Sequence, residues 1–186
     1  MRKFWLALVY TALVLGANPA LSDVAALEAL RTGDMKKLVF QSEPQAVPLT
    51  EFTLEDQSGV GTLANFHGQY VLLNFWATWC APCRKEMPML SELQTEFGSE
   101  SFEVVTIATG RNSPTGIKKF FDDMGIDNLP RHQDAKQALA RNMGIFGLPI
   151  TVLIDPDGNE IARLRGDADW ASDSAKAILT ALLEGS

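Results

Sequence analysis

Cys80 and Cys83 are the only cysteines in a chain of 186 residues, and they stand three apart in "NFWATWCAPCRKEMP", residues 74–88. Two thiols at this spacing suit two-step thiol–disulfide exchange. One attacks a partner's disulfide, and the other resolves the mixed disulfide that forms. The flanking pattern says what must hold them. "QYVLLNFW" before the pair is a nearly continuous apolar run, expected of a strand buried on both faces. After the pair, Met87, Leu90, Leu93 and Phe97 recur on one helical face. Cys80 therefore falls at a helix start, where unpaired N–H groups and a partial positive charge stabilise a thiolate and lower its pKa below the free value of about 8.5. Cys83 lies one turn inside. Ala81 and Pro82 keep the bend compact, and Pro82 needs no N–H in a first turn.

Other uses of two cysteines fit less well. A structural disulfide closing four residues removes little chain entropy. A metal site needs more ligands, and His67 and His132 hold no zinc-motif spacing to the pair and read as surface or loop residues. No metal and no cofactor is expected. Trp76 and Trp79 read as packing and platform residues around the pair. Arg84 and Lys85 read as a solvated face, and Pro88 as a kink in the helix.

The remaining elements alternate. "EFTLED" reads as a strand and "FEVVTIAT" as a second buried strand. "SPTGIKKFFDDMG" reads as a helix capped by Ser113 and stopped by Gly125, with Ile117, Phe120, Phe121 and Met124 as its stripe. "DAKQALARNMG" repeats that pattern between Asp134 and Gly144. "ITVLID" and "EIARLRG" flank "DPDG" as a hairpin. A last helix is expected from about Asp169, with Ala171, Ala175, Ile178 and Leu182 inward. This order implies an α/β domain with a central mixed sheet and helices on both faces.

Composition sets the outer bounds. The hydrophobic share of 46% fits a domain with a full core, and the formal charge of −7 argues against nucleic acid as a partner. The N-terminus reads as targeting. Arg2 and Lys3 precede an uncharged run from Phe4 to Ala17, and Ala20 and Ser22 are small residues ahead of Asp23. Residues 1–22 are thus expected to be a cleaved signal or an N-terminal membrane anchor, placing the rest outside the cytoplasm. Residues 23–48 read as a lead-in, with a short helix capped by Ser22 and a linker in "QSEPQAVP", whose polar residues and two prolines suggest no regular element. Residues 49–186 read as the folded domain.

"WATWCAPC", the strand before it, the later "GLPIT" and the element order resemble the thioredoxin superfamily. "LLNFWATWCAPCRKEMPMLSELQ" and "GDADWAS" are similar to its exported TlpA-type thiol–disulfide reductases, over roughly residues 49–186. The resemblance implies the thioredoxin fold, Cys80 as attacking thiol, Cys83 as resolving thiol, and Pro149 as a cis proline facing them that exposes backbone for a partner's extended segment. The sequence departs from thioredoxin itself at Asn74, where that family usually has a buried aspartate. TlpA-like and cytochrome-maturation branches similarly carry asparagine there, with a glutamate after the motif, here Glu86. Glu86 stands three residues beyond Cys83, on the same helical face. Partly buried, it would have a raised pKa and exchange protons with Cys83; otherwise it is a solvated carboxylate in an early helical turn.

Ala81 and Pro82 add no positive charge between the thiols, which favours a reductant over an oxidant. The resemblance implies periplasmic clients with cysteines, either copper-centre assembly proteins of cytochrome oxidase or apocytochrome c, and a membrane electron donor. The alternatives are a copper-binding chaperone using both thiols as soft ligands, and a peroxidase of the peroxiredoxin group, whose Pro-x-x-x-Thr-x-x pattern is absent.

Overall fold

The structure is a computed structural model and describes residues 19–185. Most of the segment expected to be a leader, residues 1–18, lies outside the described residues. Five helices are labelled α1 (Pro19–Ala29), α2 (Ala81–Phe97), α3 (Pro114–Met124), α4 (Ala138–Asn142) and α5 (Asp173–Glu184). Eight strands form one sheet: β1 (Leu38–Ala46), β2 (Phe52–Thr53), β3 (Val60–Gly61), β4 (Tyr70–Trp76), β5 (Phe102–Thr109), β6 (His132–Asp134), β7 (Ile150–Ile154) and β8 (Asn159–Arg165). Their order across the sheet is β1-β8-β7-β4-β5-β6-β2-β3.

At the centre β4 runs parallel to β5 and antiparallel to β7. The twofold alternation of a strand splits its residues between two cores. Leu72 and Trp76 join Cys83, Met87, Leu90 and Leu93 of α2, with Phe120 and Phe121 of α3 and Ile178 of α5. Val71, Leu73 and Phe75 point the other way, onto Leu139 and Met143 beside α4. A strand covered on both faces has no polar side to show, which is why "YVLLNFW" carries almost no polar residue. Its one exception, Asn74, belongs to the site. The expected mixed sheet with helices on both faces is present.

Four readings differ from the structure. The segment taken as linker is largely strand: Leu38–Ala46 pairs with β8 at the sheet edge, where Pro44 costs no ladder bond. Its pairing skips from Phe40 to Gln45, so the polar residues between bulge out of register, and their composition hid the strand. "EFTLED" keeps only Phe52–Thr53, because the chain turns into a 3-10 helix at Glu55–Gln57. His132 is a buried strand residue rather than a loop residue, and its Nδ1 accepts the N–H of Glu55. The helix expected from Asp134 begins only at Ala138. The Asp134 carboxylate accepts the N–H groups of Ala138 and Ala140 at 2.8 Å each, across a left-handed Gln137 at φ 56°. Smaller shifts follow at helix ends. Met124 is exposed, α1 starts ahead of Ser22, and α5 is capped by Ser172, leaving Ala171 outside it.

Candidate functional site

The site lies where β4 gives way to α2. Cys80 has extended backbone (φ −87°, ψ 102°) and caps the helix: its Sγ accepts the N–H of Cys83 at 3.3 Å. Pro82 sits in the first turn, as its missing N–H allows. The two sulfurs are joined in a disulfide with a Cα–Cα distance of 5.3 Å. The loop before them is pinned to the loop after β5. The backbone N–H and hydroxyl of Thr78 both donate to Asn112 Oδ1, at 2.8 and 2.9 Å, and the indole N–H of Trp79 donates to the carbonyl of Arg111 at 3.1 Å. Trp76 is packed as expected, its ring 5.2 Å from that of Phe120. Arg84 is exposed over the Phe120 ring, and exposed Lys85 stands 3.9 Å from Asp167. Pro88 lies within α2, which runs unbroken from Ala81 to Phe97.

On the inner side, Cys83 is fully buried and Glu86, one turn on, is buried with it. Asn74 of β4 donates to Glu86 Oε1 at 2.8 Å, and the Ala168 N–H and the Trp170 indole N–H each donate to Oε2 at 3.2 Å. Asn74 also donates to the Thr151 hydroxyl of β7 at 2.9 Å. Glu86 is thus not the solvated carboxylate of an early turn but a buried one held by three donors. Loss of hydration outweighs those donors and pushes its pKa up to about 7. Asn74 cannot titrate, so the carboxylate that can change charge belongs to α2 rather than to the strand.

On the outer side, Cys80 borders a groove of about 740 Å³ between Trp79 and Pro82 on one bank and Ile145, Phe146 and Leu148 on the other. Trp79 is 64% exposed and Phe146 87%. The Leu148–Pro149 peptide is cis, and the Pro149 carbonyl accepts the N–H of Gly166. Pro149 lines a smaller depression that shares Phe146, Gly147 and Leu148 with the groove. The structure therefore brings Cys80, Cys83, Glu86, Trp79 and Pro149 to one end of the sheet. The sequence reading missed Trp170, Ala168 and Thr151 around Glu86, and Phe146 on the groove. "GDADWAS" had drawn attention to Trp170 without a role. A large aromatic at 146 flanked by glycines at 144 and 147, off any helical stripe, was the available signal for the other.

Comparison with known proteins agrees with this geometry. The profile described as AhpC/TSA family matches residues 45–161. A thiol-disulfide oxidoreductase ResA of Bacillus subtilis is 34% identical over 62% of this chain and 64% of its own length. A thioredoxin-like protein YneN of the same organism is 34% identical over 66% of this chain and 71% of its own. The chain spans about 60–64% of the length of the ResA relatives it matches first. Among solved structures, a secreted thiol-disulfide isomerase from Corynebacterium glutamicum superposes with a TM-score of 0.66 at 25% identity, over 83% of this chain and 94% of that one. A thiol:disulfide interchange protein of the thioredoxin family from Chlorobium tepidum gives 0.58 at 28% identity, over 75% and 99%.

Proposed function

The chain belongs to the AhpC/TSA family of thioredoxin-like proteins, and on that premise we propose that it is an exported thiol:disulfide oxidoreductase that reduces disulfides of partner proteins. One observation carries the reading: the two sulfurs are bonded to each other, with Cys80, 6% exposed, lining an open groove and Cys83 fully buried behind it. The disulfide is the form left after a client has been reduced. In the reduced form the Cys80 thiolate, favoured at the N-terminus of α2, attacks one client sulfur. The Cys80–client bond forms, the client disulfide breaks, and a client thiolate leaves. Cys83 then loses its proton and attacks Cys80 Sγ. The Cys80–Cys83 bond forms and the second client thiolate leaves. The client gains two electrons and two protons, and the chain loses two of each. A dithiol donor at the membrane restores the reduced pair.

Glu86 is the group in reach of the second step. It shares the buried face of α2 with Cys83, and a pKa of about 7 lets it take up a proton near neutrality. Trp79 and Pro149 frame the site of client docking. The uncharged Ala81 and Pro82 support the reducing direction. The N-terminal pattern supports the periplasm, and the names of the relatives are those of exchange enzymes. Copper-centre assembly proteins are the first clients we propose and apocytochrome c the second, because "GDADWAS" resembles the TlpA branch. No helix among the described residues is long and apolar enough to cross a membrane, so anchorage would rest on the residues before them.

Reduction of a protein disulfide by the chain, fed by a small dithiol, tests the chemistry. Turnover by wild type, with a Cys83→Ser variant accumulating one mixed disulfide at Cys80, is the expected result. Mixed disulfides at Cys83 alone would reverse the roles. Retention of Cu(I) against a chelator without any disulfide turnover would make the chain a copper carrier instead.

A further inference from the structure

The groove beside Cys80 carries an unusual charge pattern for this molecule. The chain is acidic, with a formal charge of −7. Elsewhere on the described surface most cations have an acidic neighbour: Arg31 with Glu28, Lys37 with Asp34, Lys118 with Asp122, Lys119 with Asp123, Arg163 with Glu160, and Lys176 with Glu92 and Glu96, while exposed Lys36, Arg84 and Lys136 make no ion pair with a described residue. Arg111, Arg141 and Arg165 are unpaired and grouped. All three are exposed, and none of their side chains makes an ion pair or hydrogen bond with another described residue. They come from three elements, the loop after β5, α4 and the end of β8, and they converge on one end of the sheet. Arg141 lines the main groove. Arg111 lines a depression joined to it through Trp79 and Gln137, and Arg165 one joined to it through Phe146 and Leu148. No aspartate or glutamate lines any of the three. The nearest acid along the chain from Arg165, Asp167, faces Lys85 instead. The floor between these cations is apolar, formed by Ala140, Ile145, Leu148 and the exposed Phe146.

Unpaired guanidinium groups around an apolar floor attract the opposite pattern. Resting on the oxidoreductase reading above, we propose that the groove selects a client whose extended segment bears an apolar side chain next to the disulfide cysteine and carboxylates on both flanks. Arg141 meets the carboxylate nearest Cys80, and Arg111 and Arg165 meet those further out on either side. Phe146 and Trp79 hold the apolar residue between them. The arrangement rejects basic segments by the same field, which lets an acidic protein dock acidic clients where three unpaired arginines gather.

Three disulfide-bridged peptides of one sequence, with leucine beside the attacked cysteine and glutamate, glutamine or lysine at the flanking positions, test this with the reduced full chain. Exposed charge pairs are individually weak, so three together should make the glutamate peptide react about fivefold to tenfold faster than the lysine peptide at low salt. The gap should close at about 0.5 M salt, where the screening length is a few ångströms. In the Arg111→Gln/Arg141→Gln/Arg165→Gln variant the glutamate-to-glutamine rate ratio should fall to about one. The ratio is taken within each protein, so a folding defect cancels. Replacing the peptide's leucine by asparagine should slow the reaction about fivefold. Equal rates for the three peptides, a ratio unmoved by the triple substitution, or indifference to the leucine overturns the proposal while leaving the oxidoreductase reading intact. If none of the three peptides is reduced, the oxidoreductase reading itself fails and this one with it.

Discussion

Helices α2 and α3 begin in the same way, and only one of them begins at a cysteine pair. Ser113 caps α3 with its hydroxyl, which accepts the N–H of Gly116 at 3.0 Å, and Pro114 follows. Cys80 caps α2 with its sulfur, which accepts the N–H of Cys83, and Pro82 follows. Three residues beyond the capped N–H stands Lys119 in α3, exposed and 2.8 Å from Asp123. At the matching place in α2 stands Glu86, fully buried. An oxygen cap on α3 only completes the helix. A sulfur cap at the same geometry is a nucleophile when reduced, and the helix that it caps stabilises its charged form. The difference is thus one of atom type and burial laid on a shared backbone device.

Four substitutions would sharpen or break that comparison. The largest effect is expected from Cys80→Ser. The serine oxygen keeps the cap, so stability should stay within about 1 kcal/mol of the reduced wild type, yet disulfide turnover should vanish. Residual turnover would show that Cys83 attacks on its own. Glu86→Gln comes next. Burial raises the Glu86 pKa from 4.5 to about 7 in the fold. Between those values the folded chain holds a proton that the unfolded chain has lost, so wild-type stability should fall as pH rises through this window, by at most about 3 kcal/mol. Urea unfolding from pH 4 to 8 should show that slope in wild type and lose it in the variant. The pH dependence of turnover should flatten near 7 as well. Identical profiles would reduce Glu86 to packing.

Ser113→Ala should cost about 1 kcal/mol in thermal or urea unfolding and leave turnover alone. A loss of turnover there would mean that the α3 start is coupled to the site through the Asn112 contacts with Thr78. Lys119→Ala is the smallest, within about 0.5 kcal/mol, since an exposed pair on one helix face contributes little.

Much of the site was legible because its determinants are local. A cysteine pair after an apolar strand and before a 3.6-residue stripe defines a helix start wherever the strand ends, and Glu86 follows from helical spacing to Cys83. The central strands and the two long helices were found for the same reason: their periodicity is imposed by the surfaces that they bury. The misses share a cause too. β1 was hidden because an edge strand with a bulge need not alternate, and only β8 beside it makes it a strand. The α4 start moved because Asp134 binds amides four and six residues ahead rather than capping its own turn.

Residues 80–86, read alone, determined that this protein has a cysteine pair at a helix N-terminus with an acid one turn inside. Chain order could not say whether that acid is wet or dry. That was decided when Asn74 from β4 and Ala168 and Trp170 from the segment ahead of α5 closed over it, across 12 to 84 residues of separation. Burial is what moves a carboxylate from an ordinary surface group to one that titrates near neutrality, and burial is a property of what packs against a residue. The same holds for the cationic rim, since arginines at 111, 141 and 165 form a group only because the three elements that carry them meet at the same end of one sheet.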